Sequence, residues 1–223
     1  MSRVHDMGGR YGDGPVIPEP EHHKFDADWH RRALALTLAM GAHGAWNLDT
    51  SRHARESLAP QDYARFSYYE KWMAGLADLL VAKGLVSAGE LAGETPAQQP
   101  LAERTLRAEQ VAAVLARGGP ADRPSEVAPQ FVPGDRVRTR ARAANATVDG
   151  GHTRLPTYAA GAEGRIIRCH GCHVLPDSAA HGLGDAAEPL YAVVFQASEL
   201  WSHPEHPRDE VVLDLWQSYL APA

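Results

Sequence analysis

Hydrophobic positions in the first half of this chain recur every three to four residues, and in the second half they alternate. Trp29, Ala33, Leu36 and Met40 follow the helical period. Asp26 or Asp28 is placed to cap the helix they predict, with Gly41 or Gly44 to stop it. Asp49 reads as the next cap, before a short helix over 51–58, and Pro60 opens a further turn toward Phe66. From Tyr68, the positions Tyr69, Trp72, Met73, Leu76, Leu79 and Leu80 predict an amphipathic helix that Lys83 and Gly84 close. Ser87 and Glu90 have capping-box spacing for a short helix, and Leu106, Val111, Val114 and Leu115 predict a last one ending at Gly118-Gly119-Pro120.

Past a proline-rich run over 121–133 the period changes to two. Val137 and Thr139 face one way and Arg136, Arg138 and Arg140 the other, as a half-buried strand requires. Further strands are predicted over 161–167, 190–195 and 210–216. Short strands with Gly and Pro turns predict a small, partly closed antiparallel barrel. Helices first and strands afterwards make the fold class α+β in two segregated parts. The domain reading is an extended arm over 1–25, a helical domain over 26–120, a linker over 121–133 and a β-barrel domain over 134–223. Gly8, Gly9, Gly12, Pro15, Pro18 and Pro20 deny the arm regular structure, while Val4, Met7, Tyr11, Val16 and Ile17 give it side chains for docking on a partner.

Composition narrows the function classes. A hydrophobic fraction of 44% over 223 residues predicts a packed core. The net charge of -6 argues against a general nucleic-acid binder, whose affinity comes from neutralising phosphates. No apolar run is long enough to span a bilayer and no secretory leader follows Met1, so a cytoplasmic chain without membrane attachment is expected. Two cysteines, Cys169 and Cys172, exclude a disulfide framework.

Those cysteines fall in Cys169-His170-Gly171-Cys172-His173, the spacing of covalent c-type haem attachment. The motif follows a predicted strand rather than a helix. His170 and His173 share one turn with the thiols, which ill suits a tetrahedral metal site, so no metal is expected on this chain. The alternating arginines lack the interleaved aromatics that single-stranded nucleic acid would need. Tyr68 and Tyr69 are adjacent on a helix and point to different sides, so one of them faces a partner or pocket. Arg52, its neighbour Arg55 and the distant Arg154 are permanent cations with planar donor forks, suited to an anionic two-oxygen group. No local nucleophile or metal cage accompanies them.

Several motifs in order along nearly the whole chain resemble the β subunit of nitrile hydratase: Val4-His5-Asp6-Met7-Gly8-Gly9, Leu48-Asp49 through Arg52, Tyr68-Tyr69 with Trp72, Gly151-His152-Thr153-Arg154, Gly182-Leu183-Gly184, Glu199-Leu200-Trp201, and Asp214-Leu215-Trp216 with Tyr219. The resemblance implies a helical half led by an arm embracing an α subunit, an SH3-like β-roll, and hydration of a small nitrile to its amide. It also implies a low-spin iron(III) or cobalt(III) ion held by the α subunit through cysteines, two of them oxidised to sulfinic and sulfenic species. By the same matching, Arg52 and Arg154 bind those oxidised sulfurs and Tyr68 supplies a functional hydroxyl. Leu48, Ser51, Tyr69 and Trp72 line the substrate pocket.

An αβ heterodimer or α2β2 heterotetramer is expected. Ser51 stands where several relatives carry an aromatic, which implies a wider or more polar pocket. Two related readings stay open: a thiocyanate hydrolase-type subunit, whose equivalent of this chain is split in two, and an accessory protein delivering metal or the α subunit, which would resemble mainly the helical half.

Overall fold

In the computed structural model, residues 4–6, 17–18, 20, 25–95 and 104–223 are described. Most of the arm expected over 1–25 lies outside them. Two compact units divide the chain, one over Gly12–Gly119 and one over Pro120–Ala223.

The first unit is helical. It contains α1 (Asp28–His43), α2 (Leu48–Glu56), α3 (Pro60–Arg65), α4 (Tyr68–Ala82), α5 (Ala88–Leu91) and, after a single 3-10 turn, α6 (Val111–Arg117). Neither aspartate caps α1: Ala27 holds the cap position without a side-chain bond, and Asp28 sits in the first turn, where its charge meets the positive end of the helix. Gly44, with φ of 80°, ends the helix in the left-handed conformation. The buried face of α1 is His30 and Ala33, whereas Trp29 and Leu36 of the predicted stripe are 41% and 49% exposed. The apolar stripe locates the helix but not its inner face. Leu115 on α6 likewise points outward. α4 buries Gly75, Leu76 and Leu79, and α5 carries the expected reciprocal Ser87 and Glu90 box.

The second unit is a five-stranded antiparallel sheet of β1 (Arg136–Thr139), β2 (Glu163–His173), β3 (Glu188–Gln196), β4 (Glu210–Trp216) and β5 (Leu220–Pro222). Two short helices, α7 (Pro176–Ala179) and α8 (Ala197–Leu200), lie between strands. The order β4-β3-β2-β1-β5 is a meander whose last strand returns, through a 3-10 turn at Gln217–Tyr219, to the free edge of the first. That is an SH3-like roll, and the chain as a whole is α+β. β1 alternates as its sequence demands, with Val137 and Thr139 buried and Arg136 and Arg138 paired outside with Glu163. Val137, Ile166, Tyr191, Val193, Phe195, Leu215 and Tyr219 fill the core.

Two departures bear on function. β2 runs six residues past its predicted end, so the Cys-x-x-Cys-His stretch lies inside the strand rather than after it; register shifts on the β3 side absorb the irregularity. Residues 121–133 are bonded to the sheet, with Arg123 N–H donating to the Cys172 carbonyl (3.0 Å), Gln130 N–H to the Tyr191 hydroxyl (3.1 Å), and Phe131 buried in the core.

Candidate functional site

The sequence-predicted residues fall into two groups, one in each unit. In the helical unit, Asn47 rather than Asp49 caps α2: its side-chain oxygen accepts from the Thr50 N–H (2.9 Å) and hydroxyl (3.0 Å). The helix therefore starts one turn earlier than expected. Asp49, now inside the first turn and buried, accepts from Arg52 Nη1 at 3.0 Å. That contact anchors one corner of the Arg52 fork, and the side chain stays 38% exposed. Leu48, at the mouth of the helix, is 61% exposed.

Arg55 is held differently. Its Nε donates to the Ser51 carbonyl (3.1 Å) and its guanidinium lies 4.8 Å from the centre of the Trp72 ring on α4. Burial, with the neighbouring Arg52 charge adding to it and Tyr68 opposing, pulls the Arg55 guanidinium below its ordinary value. Ser51, Arg55 and Trp72, together with Thr37, Trp46 and Leu76, line a cleft of about 10 Å³, room for roughly one water. Arg55 is thus part of the packing between α2 and α4. Arg52 is the arginine turned outward.

On α4 the adjacent tyrosines part as helix geometry requires. Tyr69 is half-buried, stacked on His30 with ring centres 4.7 Å apart, while Tyr68 is 64% exposed. Tyr68 lies edge-on to Tyr69 (5.2 Å) and tilted over Trp72 (5.2 Å), so the three rings form one wall. The structure thus places Leu48, Ser51 and Arg52 on α2 and Tyr68, Tyr69 and Trp72 on α4, two helices packed on each other, and brings Ser51 and Trp72 to one cleft. An open groove of about 610 Å³ near Arg104, Glu109 and Arg117 contains none of these residues.

In the sheet unit, Arg154 is exposed at the end of a loop that is otherwise fixed. Asn145 Nδ2 donates to the carbonyls of His152 (2.7 Å) and Asp177 (2.8 Å), and the His152 N–H donates to His181 Nε2 (3.0 Å). His181 is therefore bonded as the tautomer with its proton on Nδ1. A Cβ on Gly151 would come within 2.8 Å of His181 Nε2 and the Val148 carbonyl, so only glycine fits there. The Arg154 N–H donates to the Tyr219 hydroxyl (3.2 Å), which itself donates to Asp177. Both partners are buried. Burial foremost raises the Asp177 carboxyl, against the opposing effects of Tyr219, Arg140 and His152. Burial and then Asp177 drive the Tyr219 phenol far above its ordinary range.

Sequence reasoning placed Tyr219 in a motif without a role and passed over Asp177 altogether. The two are 42 residues apart, and no local pattern links them. His30, the ring on which Tyr69 stacks, was also missed; its position one turn before Ala33 on the inner face of α1 was the available signal.

Comparison with known proteins places both units in one lineage. The family model described as nitrile hydratase beta subunit, N-terminal, matches residues 1–114, and its C-terminal counterpart matches residues 120–222. The low-molecular weight cobalt-containing nitrile hydratase subunit beta of Rhodococcus rhodochrous is 35% identical, over 100% of each chain. The nitrile hydratase subunit beta of Pseudomonas putida is 37% identical, again over 100% of each. Among solved structures, the recombinant apo-enzyme of thiocyanate hydrolase from Thiobacillus thioparus aligns with a TM-score of 0.39 and 24% identity, over 58% of this chain and 100% of the other.

Proposed function

Because the chain belongs to the nitrile hydratase β-subunit family, we propose that it is the half of a nitrile hydratase that shapes the substrate pocket and grips the anionic ligands of a metal held by its α-subunit partner. The observation that carries this reading is the Arg52 fork, fixed at one corner by Asp49 and still 38% exposed, on a helix packed against α4, which presents the exposed Tyr68. A guanidinium cannot ligate a cation, having five donors and no acceptor. It does fit the oxygens of sulfinate and sulfenate groups, which carry negative charge and accept charge-assisted hydrogen bonds. The donor set therefore suits the surroundings of a metal centre and not its inner sphere. The metal is iron(III) or cobalt(III), and the cobalt named in a full-length relative favours cobalt. When bound, it supplies Lewis-acid activation of the nitrile or of water.

This chain's residues then have separable tasks. Asp49 fixes the rotamer of Arg52, so that its remaining donors reach the sulfur oxygens at little entropic cost. Arg154 offers a second fork from a loop pinned by Asn145, His181 and Tyr219. Tyr68 presents its hydroxyl to the substrate side, and Tyr69, Trp72, Leu48 and Ser51 supply walls that exclude bulk water. The reaction is the addition of water across a carbon–nitrogen triple bond, a hydro-lyase activity run in reverse, in an αβ or α2β2 assembly.

The test is Arg52→Lys in the co-expressed complex. A point charge replaces a bidentate fork, so activity should fall by about 10- to 100-fold, the worth of a charge-assisted hydrogen bond, while the complex still assembles. Full activity in an assembled complex would remove Arg52 from the site.

A further inference from the structure

The Cys-x-x-Cys-His stretch takes no part in the reading above. In an uninterrupted strand, residues three apart point to opposite faces. Here Cys169 pairs with Tyr191 and Cys172 with Pro189, so two residues of β2 intervene where β3 has one. Gly171, with φ of 84°, takes up the extra residue in a left-handed conformation. The bulge restores the parity that the spacing breaks. Opposed residues of an antiparallel pair share a face, and Pro189 and Tyr191 are two apart, so both thiols stand on one face, opposite partners one pleat repeat apart. A disulfide brings its Cβ atoms within roughly 3.5–4.5 Å, closer than one regular pleat repeat, so closing it draws on the bend at the Gly171 bulge. Both sulfurs act on Tyr191: burial foremost raises its hydroxyl above the ordinary phenol value, the Phe131 and Gln130 amides oppose it, and each cysteine adds a smaller rise.

Both cysteines are reduced and half-buried. Cys169 packs against the core, and Cys172 Sγ lies 3.7 Å from the Val127 carbonyl oxygen. The two histidines of the motif follow the cysteines directly and so take the other face. His170 Nε2 is 3.0 Å from Asp214, and His173 Nδ1 is 3.3 Å from the Gly171 carbonyl oxygen. The thiol face therefore supplies two of the four ligands a tetrahedral metal site takes. Two-electron thiol chemistry needs only those two.

We propose that Cys169 and Cys172 are a reversible dithiol–disulfide pair across the bulge of β2, oxidised by low-molecular-weight disulfides of the glutathione type. Cys172, outside the core packing, attacks one sulfur of the oxidant as thiolate and releases one glutathione thiolate. Cys169 then attacks the Cys172 sulfur and displaces the second. Two thiols become one disulfide, the oxidant is reduced to two thiols, and the two protons lost by the cysteines end on the two glutathiones.

The full chain, free or in complex, is equilibrated across glutathione redox buffers, acid-quenched, alkylated and digested with trypsin. Cleavage after Arg168 and Arg208 releases both cysteines in one peptide, 169–208, which carries all the cysteine of this chain. The expected result is a peptide with two alkyl groups in reducing buffer that becomes, in one two-electron transition, lighter than the unmodified dithiol by two hydrogens. In Cys172→Ser the light species disappears and Cys169 is alkylated or carries one glutathione. Two alkyl groups at every ratio, or two glutathiones on one peptide, would overturn the pair.

Discussion

Arg154, proposed for the site, shows how the backbone beneath an exposed side chain is held by residues that never reach that side chain. Its amide leans on the Tyr219 hydroxyl, and Tyr219 leans on Asp177. Replacing Tyr219 by Phe leaves a buried carboxyl and an amide without that partner, which costs about 1–3 kcal/mol at neutral pH. The phenol also has a pH signature. Its pKa is raised on folding, so its contribution is complete below the ordinary value of 10.0 and is lost as pH rises beyond it. Thermal unfolding of the native chain should therefore fall off above about pH 10, and the gap between native and Tyr219→Phe should narrow there. A gap constant with pH would mean that the phenol is not held neutral by the fold. None of this is written in the sequence near Arg154, since Asp177 reaches the site only through the return of the sheet. Arg52 is a different case: its Asp49 partner is three residues away, and the helical spacing of that pair was readable, although Asp49 was taken for a cap.

At the scale of elements, the close crossing of α2 and α4 sets the geometry of the aromatic wall. Gly75 is the residue that permits it, because a Cβ there would lie 2.8 Å from Arg55 Cγ and 3.2 Å from the Arg55 backbone nitrogen. Gly75→Ala gains up to about 1 kcal/mol of helix propensity but forces two backbones apart, at about 1–3 kcal/mol. Net destabilisation is expected in chemical unfolding, together with a loss of nitrile turnover in the complex as α2 carries Arg52 outward. A stabilised, fully active variant would show that the crossing is loose. Helix α4 was legible because its apolar positions, Leu76 and Leu79, are also its buried ones. In α1 the two sets differ, and Trp29 and Leu36 stay exposed within the chain. β2 was cut short for another reason: Gly171 and a C-x-x-C spacing read as a turn, while a bulge lets the strand run through both.

For the whole molecule, the order of helices and then strands was legible from the change of hydrophobic period near residue 134, and the motifs carrying the family resemblance run through both units. Among the described residues, no helix is long and apolar enough to cross a membrane. What a single chain could not reveal is the anion proposed for its arginines, because the proposed function assigns that chemistry to a second polypeptide. Co-expression with the α-subunit partner, purification of the complex, and parallel metal analysis and nitrile-hydration assays on the complex and on this chain alone test that division most directly. The expected result is a one-to-one complex that contains iron or cobalt and forms amide, and an isolated chain that does neither. Stoichiometric metal or nitrile turnover in the isolated chain would contradict it.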